Sequence, residues 1–536
     1  MRRPRRTRGG FLLQESPLLR SPSGDSAERT ALNTVSAWLA NLVFLIVGFF
    51  LTRFLLDQLG ERLYGVYSLG ASVAAWSAFA GIPIGTYAYR YGIEHLEKGE
   101  QHALDRMLAT SLGLSLLAAA FLTVPVIAWA GGARRLLRVP DDLVGPARAA
   151  ILIIGLGAVL TVVVRVWEAT VFMSRRIYLK NFADMASRIA GAVVLVAWFV
   201  WLGPSVTVWL LVTVGLPLLL SLCYVIPAAA RGLPVRLLSV SLDRAELRRA
   251  LPFIALLAAN SIGGMLFDNT SAFVISVVPE LGVEQIAAFD VGARWQSLVR
   301  PFVEAFITAL APGLVALAAR RESSGLHKSV TTHTRQLLIL GMIPTVSLAC
   351  VARPLVSHWV GEQFVARSVP VMWATLASAL FWGPGPYAAR LLVALSRMRF
   401  ATFGGIVAGL ANLALSVFFV RVLGLGLFGV AAGTLITVVV WCDIVMTFEV
   451  CRAIGLRPLV YLREVWLRPA ACLPLMLLVG AGLAHWWHPR SLGETLVQLL
   501  VSGMALTVVA FRIGLTREES AGISAWTARR LDRIRK

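Results

Sequence analysis

Residues 147–176 read ARAAILIIGLGAVLTVVVRVWEATVFMSRR, a long apolar run that ends in a pair of arginines. A helix of about 20 apolar residues is long enough to cross the hydrocarbon core of a bilayer. Runs of this kind recur through the chain of 536 residues, of which 57% are apolar and only 15% are charged. Helices surrounded by lipid and by each other are apolar on all sides, so run length identifies them better than periodicity. The composition therefore predicts a membrane protein.

The apolar runs predict an all-α polytopic membrane protein with about 14 transmembrane helices. None of the loops between them is long enough to fold as a separate domain. The first seven runs lie at roughly 33–56, 65–88, 107–130, 147–172, 179–202, 206–229 and 250–278. The second seven lie at roughly 286–318, 336–357, 368–392, 400–420, 427–450, 466–487 and 493–514.

Basic residues distinguish the two sides of the membrane. The formal net charge is +21, and lysines and arginines lie in short clusters between the apolar runs. With a cytoplasmic N-terminus, the segments on that side hold 35 of the 50 basic residues and the opposite loops hold eight. Cytoplasmic loops carry an excess of Lys and Arg, so we predict that both termini are cytoplasmic. Charge in this pattern is typical of membrane topology, and no nucleic-acid-binding signature accompanies it.

An internal repeat predicts the architecture. The dipeptide LG at 59–60 returns at 281–282, and SR at 174–175 returns at 396–397, each time after 222 residues. Six spans separate the copies, so both copies point the same way. This predicts two six-helix lobes related by a pseudo-two-fold axis along the membrane normal, with spans 13 and 14 outside the repeat.

The predicted organisation has six parts. Residues 516–536 are predicted as a cytoplasmic amphipathic tail that starts at a Thr516-x-x-Glu519 capping box. Its apolar residues, Ile523, Trp526 and Ile534, are suited to the membrane surface, although a solvated tail fits the pattern equally well. The other parts are a basic cytoplasmic tail (1–32), an N-lobe with spans 1–6 (33–230), a cytoplasmic inter-lobe linker (231–249), a C-lobe with spans 7–12 (250–451) and spans 13–14 (465–515).

Three stretches resemble a known family. They are FLTRFLLDQLGERLYGVYSLG at 50–70, the segment 250–292, in which Asp268 takes the place of a common acidic residue, and LGLGLFGVAAGT at 423–434. Together they resemble the bacterial oligosaccharide (O-antigen type) flippases, polysaccharide biosynthesis transporters of the multidrug/oligosaccharidyl-lipid/polysaccharide exporter superfamily. The resemblance covers residues 31–450 as a pattern, without a single diagnostic motif.

The resemblance implies a flippase and not an enzyme. Its expected cargo is undecaprenyl diphosphate-linked oligosaccharide, moved by alternating access to the outer leaflet of the bacterial inner (cytoplasmic) membrane for surface polysaccharide such as lipopolysaccharide. Expected partners are this lipid-linked substrate, membrane lipids, and a polysaccharide polymerase and glycosyltransferases. In the lipid II flippases of the same superfamily, two extra C-terminal helices form a groove for the lipid tail, and the resemblance extends this role to spans 13 and 14.

Other functions fit parts of the pattern. A cation-coupled multidrug exporter of the superfamily predicts twelve spans and an acid-rich cavity. A lipid II flippase is a second alternative, although its cavity arginines do not align with this sequence. A membrane glycosyltransferase or polymerase that uses the same lipid carrier usually needs a large outer loop, and these outer loops are short. No P-loop or metal-ligand cluster is present. The GxGxxG pattern of Gly424, Gly426 and Gly429 lies in a short outer loop with no βαβ unit around it, so we expect no cofactor and no metal.

Charged residues inside the spans are candidates for function, because they are costly at bilayer depth. Opposite charges three or four positions apart can pair on one helix face, and such self-pairing competes with a functional interpretation. Five pairs have this spacing: Arg53/Asp57, Arg165/Glu168, Asp184/Arg188, Asp290/Arg294 and Arg300/Glu304.

Asp268, Arg390 and Asp443 have no such partner on their own helix. We expect each to find a partner across helices or to line a water-filled cavity. Glu168 and Arg390 are related by the offset of 222, which suggests a contact between the lobes. The preceding residues 383–386, GPGP, predict a broken helix suited to a hinge.

Arginine is suited to a diphosphate, because its planar guanidinium can bond two oxygens at once. We therefore predict that the diphosphate is bound by Arg165, Arg294, Arg300 and Arg390. Asp268 and Glu168 are the candidate coupling or gating carboxylates.

Overall fold

The computed structural model describes residues 24–516 and Glu519, except positions 232, 237, 321 and 396. All regular structure in this part of the chain is helical, which confirms the predicted fold class. The N-terminal helices are α1 (Gly24–Ala78), α2 (Gly81–Lys98), α3 (Gln101–Gly131), α4 (Ala133–Leu136), α5 (Val144–Met173), α6 (Ile177–Leu202), α7 (Val206–Leu220) and α8 (Ile226–Ala230). They are followed by α9 (Arg244–Asp268), α10 (Ser271–Val277), α11 (Val283–Ala293), α12 (Gln296–Ala319), α13 (Ser323–Cys350), α14 (Ala352–Val360), α15 (Val365–Trp382), α16 (Pro384–Ala394), α17 (Met398–Arg421), α18 (Gly426–Val438), α19 (Met446–Ile454), α20 (Pro458–Trp486) and α21 (Leu492–Val509).

Eleven helices of the described residues are long and apolar enough to cross a membrane. A twelfth is added if α13 and α14, which meet at a bend of 63°, form one span. The first candidate, Leu32–Ser77, has 46 residues and is about 69 Å long, more than twice the bilayer core. It contains the first predicted span and part of the second, which meet at Gly60, where φ is 76°. The predicted eighth span is interrupted between α11 and α12 and is rich in charge, so the count of about fourteen is approximate.

The two lobes meet across the predicted axis. Ser68 donates a hydrogen bond to Asp290, and these two residues are 222 positions apart. Equivalent residues of two related units touch each other only close to the axis that relates them, so this contact lies beside the pseudo-two-fold axis. Each lobe also has one π-helical turn near its last span, at Ser221–Val225 and Val439–Val445. These turns overlap when shifted by the same offset.

The C-terminal helices α20 and α21 stand outside the repeat and pack beside α13 of the C-lobe. Cys472 and Met476 of α20 and Leu506 of α21 are fully buried against Met342 of α13. Burying an apolar side chain of this size stabilises the packing by about 1.5–3 kcal/mol. This packing holds the last two spans against the C-lobe.

The structure differs from two local predictions and bears on part of a third. The helix α1 already begins at Gly24, inside the predicted tail 1–32. The GPGP stretch does not break its span, because Gly383 has helical angles (φ −55°, ψ −43°) between α15 and α16. The amphipathic tail lies almost wholly outside the described residues, as do residues 1–23 and Ser396. Its capping box is confirmed, since Thr516 N and Glu519 N each bond the other residue's side chain, at 2.7 and 3.2 Å.

The lobes touch at both ends of the helix bundle. We call the end with residues 89–106 and 230–249 the basic end, and the end with residues 59–62 and 281–284 the opposite end. At the basic end, Tyr87 of α2 donates a hydrogen bond to Glu246 of α9. Next to it, the Arg249 guanidinium lies 4.9 Å from the Tyr91 ring centre.

At the opposite end, an aromatic stack closes the gap between the lobes. The rings of Phe49 in α1 and Trp359 in α14 are parallel with centres 5.0 Å apart, and Trp359 Nε1 donates to the Phe49 carbonyl at 3.0 Å. Arg367 pairs with Glu61 at 2.9 Å beside it. The lobes are therefore in contact above and below the middle of the spans.

Candidate functional site

The first group of candidate residues lies inside the N-lobe. Arg165 Nη1 is 3.2 Å from one oxygen of Glu168, and Lys180 Nζ is 3.0 Å from the other. Ser221, in the π-helical turn after α7, donates to Glu168 at 3.2 Å. The Glu168 carboxylate is buried, whereas the Arg165 side chain is 44% exposed. A cavity of about 260 Å³ lies beside this group and is lined by Arg165, Glu168, Lys180, Thr161, Thr213 and Ser221 among others.

The second group lies in the C-lobe and joins α9, α12 and α16. Arg300 bonds Asp268 at 2.5 Å and lies 5.3 Å from the Trp382 ring centre. Arg390 pairs with Glu304. The expectation that Asp268 and Arg390 find partners across helices is therefore confirmed. Arg300 Nε and Arg390 Nη1 are buried and have no hydrogen-bond partner in the described part of the chain, so each guanidinium retains unused bonding capacity.

The predicted contact between Glu168 and Arg390 is wrong. Glu168 is held by Arg165, Lys180 and Ser221 inside its own lobe, and Arg390 is held by Glu304. Equivalent positions touch only beside the axis, and these two lie within separate lobes. The self-paired interpretation holds for Arg165/Glu168.

Self-pairing is wrong for two other candidate pairs. Arg300 and Glu304 each bond another helix, through Asp268 and Arg390 respectively. Asp184 lies 3.4 Å from Lys180 instead of pairing with Arg188. The spacing along the helix permits these contacts, but a neighbouring helix offers a closer partner.

Arg294 occupies the boundary between the lobes. It lies in the interruption between α11 and α12, and its Nη2 is so close to Gly48 of α1 that a Cβ there would be 2.5 Å away. The side chain makes no ion pair in the part of the chain that the structure describes, because Asp290 on the preceding turn bonds Ser68. Gly48 is thus the residue that lets the guanidinium lie against the first span.

Asp443 is the most isolated charge of the C-lobe. Its residue is 7% exposed, and neither carboxylate oxygen has a hydrogen-bond partner among the described residues. It lies in the π-helical turn Val439–Val445. Burying an unpartnered carboxylate is costly, so Asp443 is an energetically unfavourable feature of this span.

Sequence reasoning missed three members of these groups. Lys180 and Ser221 are distant from Glu168 along the chain, and only the packing of α5 against α6 and α7 brings them together. Trp382 was hidden among the apolar residues of its span. The repeat offset carries a signal for Ser221, because the equivalent residue is Asp443 and both lie in π-helical turns.

Comparison with known proteins supports the fold. No family model matches the chain. The chain is 20% identical over 435 residues to the uncharacterized membrane protein EpsK of Bacillus subtilis (strain 168), which covers 80% of this chain and 85% of that protein.

Solved structures of two kinds of transporter are similar in architecture. A structure of the lipid II flippase MurJ in an inward closed conformation superposes with a TM-score of 0.66 at 13% identity, over 90% of this chain and 98% of that one. An inward-facing multidrug resistance MATE family transporter of the MOP superfamily superposes with a TM-score of 0.60 at 15% identity, over 80% and 98%.

The fold and the comparisons define a class. The chain is a multi-pass membrane protein with the two-lobed fold of the MurJ and MATE structures. At these identities the likeness concerns the fold, and a fold hosts more than one function. The function has to be argued from the charged groups.

Proposed function

We propose that the protein is a flippase that moves undecaprenyl diphosphate-linked oligosaccharide from the cytoplasmic to the outer leaflet by alternating access. The observation that carries this proposal is the guanidinium of Arg294, which makes no ion pair among the described residues and lies at the boundary between two lobes that touch at both ends. An arginine inside the helix bundle without an ion-pair partner is costly. An anionic headgroup between the lobes would offset that cost.

The paired arginines fit the same cycle. Arg165, Arg300 and Arg390 each have a carboxylate partner while the site is empty. A diphosphate would replace Asp268 on Arg300 and Glu304 on Arg390, and the released carboxylates would repel it and take the arginines back when it leaves. While no cargo is bound, Asp268 holds Arg300 and Glu168 holds Arg165. This is why we assign a gating role to Asp268 and Glu168.

A lipid II flippase is the second candidate function. The observation that favours it is coverage: the MurJ superposition spans 90% of this chain, against 80% for the MATE structure. Helices α20 and α21, packed on α13, would in either case offer a surface for the polyprenyl tail. The two candidates differ in the glycan and agree in the diphosphate.

The test is deletion of the gene in the bacterium that carries it. We expect lipid-linked glycan to accumulate on the cytoplasmic leaflet and surface polysaccharide to be lost. Complementation with Arg300→Ala should fail although the protein reaches the membrane, whereas Arg148→Ala, an exposed arginine of α5, should complement. Normal surface polysaccharide after deletion, with no second transporter in the genome, would contradict the proposal. Accumulation of lipid II in its place would select the second candidate.

A further inference from the structure

Arg188 is a charged residue of the N-lobe that the proposed cycle leaves unused. It lies near the middle of α6, about 17 Å along the helix from Ile177. Its guanidinium lies over the ring of Phe44 in α1, 4.2 Å from the ring centre. It makes no ion pair in the described residues, because Asp184 is held by Lys180. Its side chain is exposed, so the guanidinium is open to a ligand.

Arg188 and Arg294 approach the same face of α1. Phe44, under Arg188, and Gly48, against Arg294, are four residues apart and therefore neighbours on one side of the helix. Both guanidinium groups therefore lie on this side of α1. One comes from the N-lobe and the other from the C-lobe. The acids nearest to them, Asp184 and Asp290, are bonded to Lys180 and Ser68, and two like charges repel each other.

We propose that Arg188 and Arg294 form one anion site shared by the two lobes, with the phosphate oxygens of a diphosphate bound between their guanidinium groups. The inference rests on the proposed function for the identity of the cargo. The chemistry itself asks only for an anion with oxygens on two sides, which a diphosphate provides. Bound there, the anion offsets the repulsion and holds the lobes together beside α1.

The test measures binding of two probes, undecaprenyl diphosphate and inorganic pyrophosphate, to the purified full-length protein in lipid nanodiscs. We expect Arg188→Gln and Arg294→Gln each to weaken binding about tenfold or more, as for loss of hydrogen bonds to a charged group. Arg188→Lys should fall between, because it keeps the charge and loses the planar fork. The control Arg148→Gln should bind like the wild type. The double variant should lose less than the product of the two single losses, because both arginines grip one ligand.

A structural role for Arg188 is tested separately. Phe44→Leu removes the ring under the guanidinium and keeps the charge, so we expect it to bind both probes like the wild type. If Phe44→Leu and Arg188→Gln lost binding equally, packing and not anion contact would explain the effect.

The outcomes separate the two proposals. Unchanged binding in Arg188→Gln, with loss in Arg300→Gln, would overturn the shared site and leave the flippase proposal standing. Arg188-dependent binding of pyrophosphate, with no binding of the lipid, would support the site and contradict the proposed cargo. Binding of neither probe by the wild type would overturn both.

Discussion

The ion pair between Arg335 and Glu519 joins the end of the last span to α13, and its loss has a calculable consequence. Arg335 Nη2 is 2.8 Å from Glu519, and the two side chains are only 9% and 10% exposed. Removing one partner of a buried pair costs about 3–5 kcal/mol. Arg335 keeps its bond to the Glu464 carbonyl at 2.7 Å, so we take the lower end. About 3 kcal/mol corresponds to roughly a 100-fold rise in the undocked population of the segment at 516–519.

Hydrogen exchange read by mass spectrometry measures this rise. In Glu519→Ala, the amide of residue 519, which donates to Thr516 in the wild type, should lose about 100-fold of its protection. Glu464→Ala is the matched control, because it removes an exposed acid and keeps the carbonyl that Arg335 uses. Equal protection in Glu519→Ala and wild type would refute the assignment of the buried pair.

The same pair predicts a pH dependence with a definite sign. Burial by itself raises the pKa of Glu519, but the hydrogen bonds from Thr516 and Arg335 outweigh it and leave the pKa below its usual value. A group with a lowered pKa stabilises the folded form above the unfolded pKa of about 4.3 and ceases to do so as the pH falls through the lowered value. Protection at 519 in the wild type should therefore be constant at neutral pH and fall only in acid.

Two further predictions concern the ends of the bundle. In Gly65→Ala, the added Cβ would lie 2.1 Å from the Val283 carbonyl oxygen, so the opposite end should open. Spin labels placed there on the two lobes should lie farther apart than in the wild type, and unchanged distances would contradict this close approach. Tyr87→Phe removes the hydrogen bond to Glu246 between the lobes and should destabilise closure of the basic end by about 1.5–3 kcal/mol. A cysteine placed at the buried Ala250 of α9 should then react faster with a water-soluble maleimide, whereas Tyr89→Phe should leave its reactivity unchanged.

Much of the fold follows from the sequence because a bilayer permits few solutions. A chain in lipid must satisfy its backbone within helices, so run length predicted the spans. The offset of 222 predicted two related lobes, and the structure shows them in contact at Ser68 and Asp290. The interruption at Arg294 and the start of α1 at Gly24 were not predictable, because both depend on how helices end against neighbours.

The partners of the candidate charges were predictable only in part. Spacing along one helix predicted the ion pair of Arg165 and Glu168 correctly and the pair of Arg300 and Glu304 wrongly. Positions three and four apart permit a contact, but the partner chosen depends on which helices lie side by side. That information is absent from a single helix. Arg188 was assigned to Asp184 for the same reason, and its exposure to a ligand came into view only when Lys180 proved to hold that carboxylate.

The balance of acidic and basic side chains in each candidate group bears on whether the cargo is a cation or an anion. In the N-lobe group, Arg165 and Lys180 face Glu168 and Asp184, so the group is neutral in sum. In the C-lobe group, Arg300 and Arg390 face Asp268 and Glu304, with the same result. Neither group alone distinguishes a cation from an anion.

The cargo is therefore selected at the lobe boundary, by Arg188 and Arg294. The two nearby acids, Asp184 and Asp290, are bonded to Lys180 and Ser68. A cationic drug entering between the lobes would meet two guanidinium groups at close range, a repulsion that low dielectric strengthens. A diphosphate would meet attraction at the same place. Replacing both arginines with glutamate should accordingly abolish binding of undecaprenyl diphosphate and create binding of a lipophilic cation such as ethidium. Retained diphosphate binding in that variant would show that the boundary does not select the cargo.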